Sequence, residues 1–225
     1  MLPILKINLT DGTTEEFIIP KEWECDFFGG ASLGARILYP HLTKELDPLS
    51  PEAPLLFING PLTGTNGPTT GRFVICGKSP ATGLWAESNI GGFWGPELRK
   101  AGYDGLWITG KASSPAYLWV EEGRLEVRDA AGLMGRDVYE TQELVKAEVG
   151  VKSARVAVIG GGRRTRRFIC VHLLRPRARG GAHGHGRGDG REKPQGGCRA
   201  WYEKNRSDRT LCRIALRSEP RLETG

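Results

Sequence analysis

The sequence is poor in several things that would have pointed elsewhere. It has only five cysteines, Cys25, Cys76, Cys170, Cys198 and Cys212, an odd number with no C-x₂-C pair. That excludes a disulfide framework and fits a reducing, cytoplasmic setting. No apolar run approaches the ~20 residues of a membrane helix. The start, Met1-Leu2-Pro3-Ile4-Leu5, has no basic segment followed by a long apolar one, so no signal peptide is expected. Aromatic residues make up 8% of the chain, and none occurs between 169 and 200, where a nucleic-acid binder would need rings to stack on bases.

What is present divides into two unlike stretches. Residues 1–160 hold 15 Lys and Arg against 20 Asp and Glu, a net charge of −5. Residues 161–225 hold 17 against 6, a net charge of +11, and 15 of those cations are Arg. The overall +6 therefore describes neither part. In the first stretch strand and turn signals alternate. Leu5–Leu9 and Glu16–Ile19 read as a hairpin across Asp11-Gly12. Residues 27–38 read as a Gly-loosened helix, and 55–58, 72–76 and 106–109 as short apolar strands. Pro96 suits the first residue of a helix that Gly102 stops. Residues 117–120 and 125–128 read as a second hairpin. Asp137 with Glu140 reads as the capping pair of a helix ended by Gly150, and 155–159 as a last strand. The fold class expected is α+β, mixed sheets with a few helices. After Gly160 the periodicity stops, and composition predicts a disordered basic tail.

Two Gly-rich places could receive an anion: Pro68-Thr69-Thr70-Gly71-Arg72, and Ser88-Asn89-Ile90-Gly91-Gly92 before the Pro96 helix. Glycine lets main-chain N–H groups approach a phosphate, and Arg72 supplies a planar fork of donors. The same spacing also suits plain tight turns. Val156–Gly162 imitates a dinucleotide-binding strand and loop, but Thr165 stands where a third glycine is needed. Cys170, His172, His183, His185, Cys198 and Cys212 imitate a zinc set without zinc spacing. The Arg/Gly tract could hold RNA through phosphates alone.

Longer strings are more specific: GPLTGT (60–65), GRF..CGKSP.TG (71–83), SN.GG..GPELR.AGYDG (88–105) and RVAVIG (155–160). In this order they resemble the N-terminal domain of the aldehyde:ferredoxin oxidoreductases, from about Leu5 to Gly160. The resemblance implies a tungsten (or molybdenum) bis-pterin with Mg²⁺ and, in the complete enzyme, a [4Fe–4S] cluster. It implies an aldehyde substrate, ferredoxin as electron acceptor and a homodimer among the expected assemblies, with neither membrane nor nucleic acid as partner. The chain would be the cofactor-binding portion, inactive alone. Carried over by position, Arg72 lies between pterin and cluster, Asn89 offers its main-chain carbonyl to the Mg²⁺, and Gly91 lies against the pterin. No catalytic residue is carried over.

Two departures accompany the match. Gly29-Gly30-Ala31-Ser32-Leu33-Gly34-Ala35 lacks the Arg of the family's GGRGLGA, which puts a cofactor contact there in question. After Gly160 the family's next segment gives way to Arg and Gly, and none of the five cysteines matches a cluster ligand. Codons permitted from Gly161 onward, read one nucleotide later, can spell HMGTGVGTGGKNPKAVAVRGT opposite residues 183 to about 203, which is that family segment. The expectation is two parts: 1–160, a pterin-binding domain, and 161–225, an unstructured frameshift product. The rival readings are a non-enzymatic, basic-tailed nucleic-acid-binding module and a non-functional gene fragment.

Overall fold

The computed structural model describes residues 1–159, 171–172 and 212–217. The strands are β1 (Ile4–Asn8), β2 (Thr14–Phe17), β3 (Leu55–Asn59), β4 (Phe73–Lys78), β5 (Trp85–Ile90) and β6 (Gly105–Thr109) in one sheet. A second sheet holds β7 (Ala116–Glu121), β8 (Arg124–Asp129), β9 (Arg155–Ile159), β10 (Val171–His172) and β11 (Cys212–Arg217). The helices are α1 (Lys21–Phe27), α2 (Gly30–Leu38), α3 (Trp94–Lys100) and α4 (Val138–Val149). The first sheet runs β2-β1-β6-β3-β4-β5, with β1 and β6 parallel and its other pairs antiparallel. The second runs β10-β9-β11-β7-β8, with β11 parallel to β7.

Strand alternation sorts the core into layers. In β1, Leu5 and Ile7 face one way and Ile4 the other; in β3, Phe57 opposes Leu56 and Ile58; in β6, Leu106 and Ile108 oppose Trp107. One set meets Leu118 and Val120 of β7, Ala157 of β9 and Trp94 and Leu98 of α3, filling the space between the sheets. The opposite set packs under α2 with Leu33, Ile37 and Leu38. Beyond the second sheet, Tyr117, Trp119, Val156 and Val158 pack with Val145 of α4. The central strands are thus buried on both faces, which is why LLFI, LWIT, YLWV and VAVI are almost continuously apolar. Each fully buried Leu or Ile contributes ~1.5–3 kcal/mol.

Local chemistry explains the boundaries. Asp11 accepts the Thr13 N–H at 2.9 Å, closing the first hairpin with Gly12 at φ 73°. Asp137 accepts the Glu140 N–H at 2.7 Å, and Gly150 ends α4 at φ 72°, the capping expected from sequence. The helix expected over 27–38 is α2 and begins only at Gly30; α1, which was not expected, precedes it and ends at Phe27, the two separated by Phe28 (φ 58°) and Gly29. α3 begins at Trp94, so Pro96 is its third residue; it lacks an N–H that would have no partner in the first turn. β5 had no clear strand signal because Trp85, Glu87 and Asn89 lie on an exposed face of an edge strand. Of the stretch after Gly160, β10 and β11 are strands. Its other residues, with most of the dinucleotide-like loop and the zinc-like set, lie outside the described residues.

Candidate functional site

The two Gly-rich turns named from sequence meet at one end of the β4–β5 hairpin. Register places Val74 opposite Asn89 and Phe73 opposite Ile90. Continuing the pleat, Arg72 and Asn89 share the sheet face that carries α2, since Phe73 faces the other way. The Arg72 Nη1 donates to Asn89 Oδ1 at 3.0 Å, and both residues are exposed. Among the described residues no carboxylate pairs with Arg72. A methyl group built on Gly91 would lie 4.0 Å from Arg72 Cγ, so all three sequence-predicted residues come together.

Gly71 shows why this rim is built from glycine. A Cβ there would lie 2.3 Å from the Gly92 carbonyl oxygen, a backbone atom that cannot swing aside. The two turns therefore touch main chain to main chain. The first turn of α2 completes the rim: a Cβ on Gly30 would stand 3.7 Å from Val74 Cγ2, and one on Gly29 would stand 2.9 Å from Pro61 Cδ. Ser32, at the departure from the family pattern, donates to the Phe27 and Gly29 carbonyls and so closes the α1–α2 bend.

Behind the rim lies a set of residues the sequence reading passed over. Thr63, buried, accepts the Gly60 N–H at 3.0 Å and donates to the Arg72 carbonyl at 2.6 Å. Arg99 on α3 donates to the carbonyls of Pro61 (2.8 Å), Thr63 (2.6 Å) and Gly60 (3.3 Å). Its Nε donates to Asp104 at 2.6 Å, and Asp104 is fully buried. Arg99 and Asp104 stood inside the quoted string SN.GG..GPELR.AGYDG. The available signal was an Arg and an Asp five positions apart around a helix stop.

The donor set suits an anion: Arg72, without a carboxylate partner among the described residues, close-approach glycines and a helix start. It does not suit a cluster of thiolates. Among the described residues no three His, Cys, Asp or Glu converge on a metal-sized site. Cys76 is buried under α2, where desolvation, helped by nearby Glu87, pushes its thiol up to about 12. It is a protonated apolar filler, whereas a metal ligand must be a thiolate.

A family model for the aldehyde ferredoxin oxidoreductase N-terminal domain matches residues 4–190. The chain belongs to this family. The match passes Gly160, where the strings quoted above end. A tungsten-containing aldehyde ferredoxin oxidoreductase of Pyrococcus abyssi is 42% identical over 169 residues, covering 75% of this chain and 28% of that protein. The WOR-like subunit of an aliphatic sulfonate oxidoreductase from Pyrococcus furiosus is 34% identical over 184 residues, covering 75% and 29%. Among solved structures, the active-site complex BamBC of benzoyl coenzyme A reductase, bound to 1,5-dienoyl-CoA, superposes with a TM-score of 0.70. It is 36% identical and covers 73% of this chain and 25% of that one. The chain thus spans under a third of the length of the curated aldehyde ferredoxin oxidoreductases it matches. No helix among the described residues is long and apolar enough to cross a membrane.

Proposed function

We propose that this chain is the cofactor-side wall of an enzyme that oxidises an aldehyde, with water, to a carboxylic acid, releasing two protons and two electrons. The electrons would pass singly through a [4Fe–4S] cluster to ferredoxin. The observation that carries the reading is the meeting of Arg72, Asn89 and Gly91 on one rim, with no acidic partner for the arginine among the described residues. When bound, a tungsten bis-pterin would supply the two-electron redox chemistry; the protein's part is to bind and orient it. Arg72 would hold an anionic or amide edge with its planar fork. Asn89, whose side-chain oxygen already accepts from Arg72, would offer its main-chain carbonyl to Mg²⁺, a hard oxygen ligand for a hard ion. Gly91 and Gly92 would let the pterin and its phosphates approach the main chain. Arg72, Asn89, Gly91 and Gly92 are a guanidinium, an amide and two glycines, a set that binds and orients an anion and holds no carboxylate, imidazole or thiol for acid–base work on substrate.

The change of composition at Gly160 belongs to the same reading, as a change of reading frame and not as a boundary of the fold, since β10 and β11 lie beyond it and pair with β9 and β7. A frameshift near that codon accounts for the charge reversal from −5 to +11 and for the Arg-for-Lys bias beyond it. Sequencing the messenger across codons 155–165 tests it: an undisturbed frame with no family segment in the offset reading rejects it. The rim is tested by calorimetric titration of the chain with inorganic pyrophosphate as a stand-in for the pterin phosphates. Binding should be lost in Arg72→Ala, rescued poorly by Arg72→Lys, and reduced less in Asn89→Ala. Equal binding by Arg72→Ala and the parent chain rejects the rim.

A further inference from the structure

The loop from Gly60 to Arg72 contains almost no apolar side chain that could hold it down. Leu62, its one large apolar residue, is exposed. Its shape is nevertheless closed by main-chain bonds, with the Gly64 N–H donating to Thr70 O at 2.9 Å. Gly64 has φ +79°, and a Cβ there would press 3.3 Å from Pro96 Cα and 3.5 Å from Arg99 Cδ, so the loop lies directly on α3. Three carbonyls within four residues, those of Gly60, Pro61 and Thr63, point at one cation, the Arg99 guanidinium. Without that cation the Gly60 carbonyl would keep only the Thr63 N–H at 3.1 Å, and those of Pro61 and Thr63 would lose their guanidinium donor.

Asp104 anchors the arrangement from the other side. One carboxylate oxygen accepts Arg99 Nε, and the other accepts the Leu2 N–H at 2.7 Å. Its main chain is tied in both directions, its carbonyl accepting from Asn59 N–H at 2.7 Å and its own N–H donating to Pro3 O at 3.0 Å. Asp104 is therefore fixed to the ends of β1 and β3, and it aims Arg99 at the loop. Thr63 carries the constraint onward, because the residue whose carbonyl accepts from Arg99 also donates its hydroxyl to the Arg72 carbonyl.

We propose that Arg99, oriented by Asp104, is a positioning residue for the anion-binding rim: it sets the 60–72 loop and, through Thr63, the main chain of Arg72. This rests on the reading of Arg72 as an anion-binding residue. Arg99 itself need not touch the ligand. A lysine keeps the charge, but it is a single nitrogen that cannot bridge a carboxylate and three carbonyls as a fork does. Charge and positioning are therefore separable by one conservative change.

The experiment uses the full chain, Arg99→Lys, Arg99→Gln and Arg72→Ala, with two readouts: titration with inorganic pyrophosphate, and amide hydrogen exchange at Gly64. Positioning predicts that Arg99→Lys weakens pyrophosphate binding about tenfold, the scale of one lost charge-assisted hydrogen bond. It also predicts faster Gly64 exchange, while amides of β7 and β8 keep their protection. Arg72→Ala should abolish binding and leave Gly64 exchange unchanged. Unchanged Gly64 exchange in both Arg99 variants overturns the proposal, whatever happens to binding. Faster exchange with pyrophosphate affinity within twofold of the parent also overturns it, because the loop would then not govern the rim. If the parent chain binds no pyrophosphate, the reading of Arg72 fails. The Arg99 proposal then fails as a functional one, and Gly64 exchange still reports whether Arg99 holds the loop.

Discussion

The two sheets are closed in different ways. Every strand of the first sheet comes from residues 4–109, and its loops carry the Arg72 rim. The second sheet takes its middle strand, β11, from Cys212–Arg217, which lies more than fifty residues beyond the end of β9. β11 pairs along six residues of β7 and three of β9. Yet β7 and β9 also share one core with α4, through Tyr117, Trp119, Val156, Val158 and Val145. The site-bearing sheet is thus self-contained in its strand pairing, though it shares a core with β7 and β9, whereas the supporting sheet takes a strand from far away in sequence. Loop-closure cost grows only slowly with loop length, so the distance itself is a weak penalty. What matters is that an unfilled slot would leave the buried edges of β7 and β9 without partners.

The comparison breaks most sharply at Asp104. Asp104→Ala strands Arg99 without its partner and frees the ends of β1 and β3, so about 3–5 kcal/mol of stability should be lost in urea unfolding. If the first sheet is self-contained, the loss should appear as fast amide exchange in β1, β3 and β6. Next comes Gly71→Ala, which forces a Cβ toward the Gly92 carbonyl. It should cost ~1–3 kcal/mol by overpacking and separate the two turns, with loss of pyrophosphate binding as the check. In the second sheet, Ile214→Pro removes a ladder donor from β11 and should cost ~1–3 kcal/mol, read as faster exchange in β7 and β9 with β1 and β3 unchanged. Unchanged exchange in β7 and β9 would show that this sheet does not depend on its distant strand. The smallest effect belongs to Asp137→Ala, which removes the α4 cap and should lower stability by about 1 kcal/mol in thermal melts.

Cys76 offers a check on the first sheet that needs no mutation. With its thiol raised to about 12 by burial, almost none is thiolate at pH 8. Peptide mapping after brief treatment with iodoacetamide should find Cys25, which is exposed, modified and Cys76 spared. Modification of Cys76 at a similar rate would mean that α2 lifts readily from β4.

Much was legible without coordinates, for reasons that are local. The first hairpin, the second hairpin and the Asp137–Gly150 helix each carry their own turn or cap chemistry within a few residues, and each is present. The doubly buried strands announced themselves as short apolar runs. Arg72, Asn89 and Gly91 could be named because they sit in long ordered strings of a recognisable family. Less legible was whatever depends on packing. The break between α1 and α2 rests on Phe28 and Gly29 adopting positive φ, with Gly29 seated against Pro61, and β5 is a strand because β4 lies beside it. A periodicity test sees neither neighbour.

By itself, then, the sequence determined the family, the α+β class, the capped elements and the identity of three rim residues, because those are written in short-range spacing and in motif order. The tertiary structure decided which turns meet, that Arg72 lends a hydrogen to Asn89 and has no acidic partner among the described residues, and that Arg99, Asp104 and Thr63 hold the loop behind them. It also decided which strand fills the middle of the second sheet. These are contacts between residues as far as 102 positions apart. Burial and hydrogen-bond satisfaction select them only once the chain has folded, and no local pattern encodes the partner.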